Sequence, residues 1–175
     1  RDANNTPIDP MEFVDSNNPK PTTSSTSSSL QKWIWEIEGG SQYINGKEWI
    51  VVDPDGPDDT MNLAHGMVIA DHNGGDSWYP DIIPGKIYEG DIVTEEQASA
   101  IWDRIMKGFS NAIDSSCVKY GVTLTSFQKD ALISNIYRTG YGVGQNDALV
   151  SAYAKGGNAG LWNHMKDTYD TRYPE

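Results

Sequence analysis

The stretch from Trp33 to His65 sets the tightest limits on what this chain can fold into. A helix pattern, a double-glycine stop, a hairpin signal and an acid-rich turn follow one another within it. Leu30, Trp33, Ile34 and Ile37 fall at i, i+3, i+4 and i+7, one apolar helix face, and Ser28 with Gln31 offers a capping box for its start. Gly39 and Gly40 stop that helix, so Glu38 sits on its last turn. A carboxylate there faces the negative end of the helix macrodipole, and packing beside Trp33 or Trp35 would remove water from it. Both effects disfavour the charged form and raise the pKa toward what a general acid needs. The plain alternative is a solvated carboxylate on a fraying helix end.

The second half of the stretch leans to β-structure. Residues 48–52 are rich in β-branched and aromatic side chains, and Asn45-Gly46 before them is a hairpin turn signal. Asp53 therefore arrives at a strand end, ahead of a turn built on Pro54, Asp55 and Gly56, and residues 60–67 are expected to return as the neighbouring strand. Such a hairpin sets Asp53 and Thr60 side by side, facing whatever lies over Glu38. Glycosidic hydrolysis suits the set: a protonated carboxyl meets the leaving oxygen, and a carboxylate helped by a hydroxyl positions water. Inverting enzymes keep their two carboxyls roughly 6.5 to 9.5 Å apart for that water. A calcium loop through Asp53, Asp55, Asp58 and Asp59 fits poorly. Counting from Asp53, Gly56 is fourth rather than sixth, and Ala64 stands where the bidentate Glu belongs.

In these residues the chain resembles the phage-type lysozymes, glycoside hydrolases whose signature is Glu-Gly at the end of the first helix, then Asp-x-x-Gly, a Thr, and a His five residues on. Glu38-Gly39, Asp53-Pro54-Asp55-Gly56, Thr60 and His65 match in turn. The resemblance implies Glu38 as general acid, Asp53 as the base that activates water, Thr60 as the residue that orients it, and His65 as a structural partner of an acidic side chain. Asp53 precedes Thr60 by seven residues where the family commonly has six, which leaves Asp55 as a rival carboxylate. The family's Gly-rich step between Thr and His reads Met61-Asn62-Leu63-Ala64 here. The implied fold is α+β and lysozyme-like, with a small β-hairpin lobe, a larger helical lobe and a cleft between them. The implied substrate is bacterial peptidoglycan, cut at the β-1,4 bond between N-acetylmuramic acid and N-acetylglucosamine, with no cofactor and no metal.

Outside this unit, residues 1–29 are poor in large apolar side chains, and residues 19–29 are dominated by Pro, Thr and Ser, the composition of a tether. We expect a tail or linker over 1–29, leading from an upstream domain or a phage tail assembly, and a catalytic domain over 30–175. Residues 67–70 read as the end of the β-region. The polar stretch 71–91 reads as a loop, with 73–81 an insertion relative to the family. Trp78 and Tyr79 in it either stack on a sugar ring or pin the loop to the body. Thr94 with Gln97, and Thr125 with Gln128, are capping boxes opening two helices. The first should run about five turns on Ala98, Ile101, Ile105, Phe109 and Ile113. The second should bury Phe127, Ala131, Leu132, Ile136 and Tyr137 and end at Gly140. The segments Val93–Ala98 and Asp130–Ser134 strengthen the resemblance. Arg138, near the end of the second helix, contacts a substrate carboxylate, pairs with an acid such as Asp53, or is a surface cation on a last turn. Two further helices should flank Gly156 and Gly157, with Leu161, Trp162, Met165 and Tyr169 buried.

The lone Cys117 can form no internal disulfide and has no evident His partner, so it reads as a small packed residue. A formal net charge of −12 argues against nucleic acid as a partner and against unaided adhesion to an anionic wall. No apolar run reads as a signal peptide or membrane span. The resemblance thus implies either a lysis enzyme released from the infected host cytoplasm or a virion-associated one. A lytic transglycosylase using Glu38 alone and a non-catalytic wall-binding module are the competing classes.

Overall fold

The computed structural model describes residues 30–34, 43–44, 47–53, 60–139 and 145–172. Glu38, Gly39, Gly40, Asp55 and Gly140 lie outside them, and with them the expected helix stop, the rival carboxylate and the end of the second capped helix. The described chain is α+β. Helical residues 30–34 (α1) precede seven short strands: β1 (Tyr43–Ile44), β2 (Glu48–Ile50), β3 (Met61–Leu63), β4 (Met67–Ala70), β5 (Gly75–Asp76), β6 (Lys86–Ile87) and β7 (Ile92–Thr94). Three helices follow: α2 (Glu95–Tyr120), α3 (Ser126–Thr139) and α4 (Gln145–Arg172). The chain divides into two compact units between Met106 and Lys107, inside α2.

In the β unit the strands pair antiparallel throughout. β1, β2 and β7 form one sheet in that order, with Trp49 opposite both Tyr43 and Val93. The Lys47 amide donates to the Ile44 carbonyl across the β1–β2 turn that Asn45-Gly46 signals (3.2 Å). β3 pairs with β4 and β5 with β6. Two expectations are corrected. Residues 60–67 are not one strand: Ala64 at φ 50° and Gly66 at φ 83° reverse the chain, making a hairpin of β3 and β4. Nor does the β-region end at Ala70, because the polar stretch 71–91 carries β5 and β6 and delivers β7 to β2. The core joins Ile34, Val51, Met61, Leu63, Ile69, Ile87 and Ile101, none with exposed surface. Each such aliphatic contributes about 1.5–3 kcal/mol. Trp33, expected on that face, is 41% exposed; it stands about 100° round the helix from the buried Ile34.

Both capping boxes form. The Thr94 amide donates to Gln97 Oε1 (3.0 Å) and the Gln97 amide to Thr94 Oγ1 (3.3 Å). The Thr125 amide donates to Gln128 Oε1 (2.8 Å), and the Gln128 amide to Thr125 Oγ1 (3.2 Å). Helix α2 has 26 residues, about seven turns rather than five. Trp102 and Met106 are buried on it, whereas Ile105 and Phe109 are half-buried.

The helical unit buries Ile113, Leu132, Ile133, Ile136, Leu149, Val150 and Leu161. Phe127 is 46% exposed against expectation, because Gln128 beside it turns inward and takes the buried position of the first turn. Gln128 Nε2 donates to Tyr153 Oη (3.2 Å) and Asn158 Oδ1 (2.7 Å), residues on either side of the expected break. That break is a kink within α4 at Gly157 (φ 59°, ψ −147°). Beyond it Leu161 is buried while Trp162, about 100° round the helix from it, is 39% exposed, a second correction to the expected face. The Tyr169 side chain lies outside the described residues.

Candidate active site

Asp53 and Thr60 flank one end of a short ladder. Beyond β2, the Val51 amide donates to the Asp91 carbonyl (2.9 Å). Val52 then forms an antiparallel bridge with Asn62: the Val52 amide donates to the Asn62 carbonyl (2.9 Å), and the Asn62 amide donates to the Val52 carbonyl (2.8 Å). Asp53 is one residue past the bridge on the first strand, and Thr60 two residues before it on the second. Both are half-buried. Asn62 Nδ2 donates to the Thr60 carbonyl (3.0 Å), fixing the backbone from which the hydroxyl projects. A carboxylate and a hydroxyl at one strand-pair end are suited to holding a water molecule.

His65 occupies the β3–β4 turn and is buried. Its ring meets Trp49 edge to face, with centroids 5.1 Å apart and planes at 70°. Trp49 Nε1 donates to Glu95 Oε2 (2.7 Å), and Ser99 Oγ reaches the other carboxylate oxygen at 3.4 Å. Trp49, Ala64, His65, Glu95, Ser99 and Trp102 line a small cavity with room for about one water molecule. Glu95 is the first residue of α2, where the helix dipole favours an anion.

The loop after β5 is tied down rather than free. The Trp78 amide donates to the Ile69 carbonyl (2.8 Å) and the Tyr79 amide to Ser77 Oγ (3.0 Å). Asp81 receives both terminal nitrogens of Arg104, whose guanidinium lies 5.8 Å from the centre of the Tyr79 ring. Burial pushes the Tyr79 phenol pKa up. Tyr79 is therefore packed on the body, while the Trp78 ring is 49% exposed beside it. Arg138 belongs to the helical unit and is exposed on the last turn of α3. Cys117 is half-buried, and burial raises its thiol pKa, as suits a packed residue.

Glu95 is a partner of the β-region that the sequence pattern does not reveal. The capping box marks Glu95 as the first helical residue. Its side-chain partner is 46 positions upstream and comes within reach only because β7 pairs with β2.

A family model described as Phage lysozyme matches residues 74–171. The chain belongs to the phage lysozyme family. The α+β arrangement of short strand pairs and helices is accordingly lysozyme-like, and the general activity is that of a peptidoglycan hydrolase directed at the cell wall. The matched segment starts at Gly74, after Glu38, Asp53, Thr60 and His65, and includes Trp78, Tyr79, Glu95 and Arg138. No curated protein matches the chain. Among the described residues, no helix is long and apolar enough to cross a membrane.

Proposed function

We propose that this protein hydrolyses the β-1,4 bond between N-acetylmuramic acid and N-acetylglucosamine, with residues 30–175 as the catalytic domain and residues 1–29 as a tether to an upstream domain or phage tail assembly. The observation that carries the reaction class is the family match over residues 74–171. The Val52–Asn62 bridge supports the choice of Asp53 and Thr60, because it ties the strands bearing them into one ladder. Glu38 gives its proton to the glycosidic oxygen as that bond breaks. Asp53 takes a proton from water held by the Thr60 hydroxyl, and the water oxygen bonds the anomeric carbon from the opposite face. The product has inverted configuration, and solvent returns both carboxyls to their starting states. Trp78 offers an exposed ring face to a sugar, with Tyr79 as its packed neighbour, and Arg138 offers a cation to a carboxylate of the wall. His65 holds the hairpin.

Clearing of a purified peptidoglycan suspension tests the reading. Wild type should clear it, and Glu38→Gln should be slower by on the order of a thousandfold, the usual worth of a general acid. Equal clearing by the variant would overturn the assignment. Full activity in Asp53→Ala would move the second role to Asp55 or favour a transglycosylase.

A further inference from the structure

We infer that Glu95, acting through the Trp49 indole and the His65 ring, is a positioning residue for the strand pair that bears Asp53 and Thr60. The inference rests on the proposed reaction for its kinetic consequence alone. Three contacts lead from Glu95 to that pair. Its carboxylate accepts the indole N–H of Trp49 (2.7 Å), and its backbone amide donates to the Lys47 carbonyl at the start of β2 (3.0 Å). The Trp49 ring then meets His65 edge-on in the turn that closes β3 on β4. β2 leads in four residues from Trp49 to Asp53, and β3 begins one residue after Thr60. Glu95 thereby indexes both strands against the start of α2, its backbone holding β2 at Lys47 and its side chain holding Trp49. Trp49 is buried, so its N–H requires an acceptor, and a charged acceptor makes the stronger hydrogen bond. Gln at position 95 keeps an acceptor oxygen; Ala leaves the indole donor without it. Small misplacements of groups that hold water cost rate rather than binding.

Kinetics of Glu95→Ala, Glu95→Gln and Trp49→Phe on soluble peptidoglycan oligosaccharides test this, alongside amide exchange at Val52 and Asn62. Glu95→Ala should lower kcat about ten- to a hundredfold with KM little changed. Glu95→Gln should restore most of that loss. Trp49→Phe, which keeps a ring against His65 but removes the N–H, should match Glu95→Ala, and the double variant should be no worse than either single one. Exchange at Val52 and Asn62 should quicken in Glu95→Ala and recover in Glu95→Gln. That readout needs no turnover, so it decides the positioning role even for a protein that cleaves nothing. A folded Glu95→Ala with wild-type kcat and wild-type exchange would overturn the proposal, as would equal impairment by Ala and Gln. Should Glu95→Ala fail to fold, an unchanged kcat in Trp49→Phe would do the same.

Discussion

At Gly160 a Cβ would stand 2.5 Å from the Ala152 carbonyl oxygen, whereas at Gly108, on the exposed side of α2, it would meet nothing within 4 Å. Alanine at a helical glycine ordinarily stabilises by roughly 0.5–1 kcal/mol. Gly108→Ala should therefore gain about that much, and Gly160→Ala should lose about 1–3 kcal/mol through overpacking against backbone; urea denaturation of the two variants reads the opposite signs. Asp81 offers a pH test. Hydrogen bonds from the Arg104 guanidinium, helped by a backbone donor, hold its carboxyl at about 2, below the ordinary 3.8. A pKa lowered by folding adds stability that is complete above the unfolded value and is lost as pH falls through the folded one. The clamp should thus persist from neutral pH down through pH 4 and open only near pH 2. The carboxyl carbon shift of Asp81, followed by NMR, should have its midpoint near 2, and a midpoint near 4 would contradict the clamp.

Elements whose cause is local were readable from sequence, and those whose cause is distant were not. Thr94 with Gln97 and Thr125 with Gln128 sit three residues apart, and each pair formed its box. The glycine break in α4 likewise follows from residues at the break itself. The pairing of Val52 with Asn62 joins the strand ends next to Asp53 and Thr60, whereas the turn at Ala64 and Gly66 was not legible, since Ala is an uncommon occupant of positive φ. β7 was unreadable as a partner of β2: its three residues carry no periodicity, and about forty residues separate the two strands. Trp33, Phe127 and Trp162 misled because large aromatics are usually sheltered, whereas here buried neighbours one position away hold the core face. The boxes differ in weight. Gln97 is half-buried and adds one bond, its Nε2 donating to the Ile82 carbonyl (3.0 Å), while Gln128 is buried and also binds Tyr153 and Asn158 across the kink. Gln97→Ala should cost about 1 kcal/mol and Gln128→Ala about 2–3 kcal/mol, measured by thermal unfolding.

Across the whole molecule the charge is segregated by sequence. Residues 30–106 hold 15 acidic and 4 basic side chains, a net of −11, while residues 107–175 hold 6 acidic and 7 basic, a net of +1. A polyanionic wall repels the first segment most when screening is weak. The Debye length falls from about 30 Å at 0.01 M salt to about 8 Å at 0.15 M. The initial rate of wall lysis should therefore rise over that range, opposite to a basic enzyme, and a monotonic fall would show that another part of the surface governs encounter. The account as a whole depends on water being the second reactant at the sugar linkage. Digestion of purified peptidoglycan in heavy-oxygen water, followed by mass spectrometry of the muropeptides, tests that directly. Reducing N-acetylmuramic acid ends carrying the solvent's heavy oxygen are predicted, while anhydro-muramic ends without the label, or no cleavage, would contradict it.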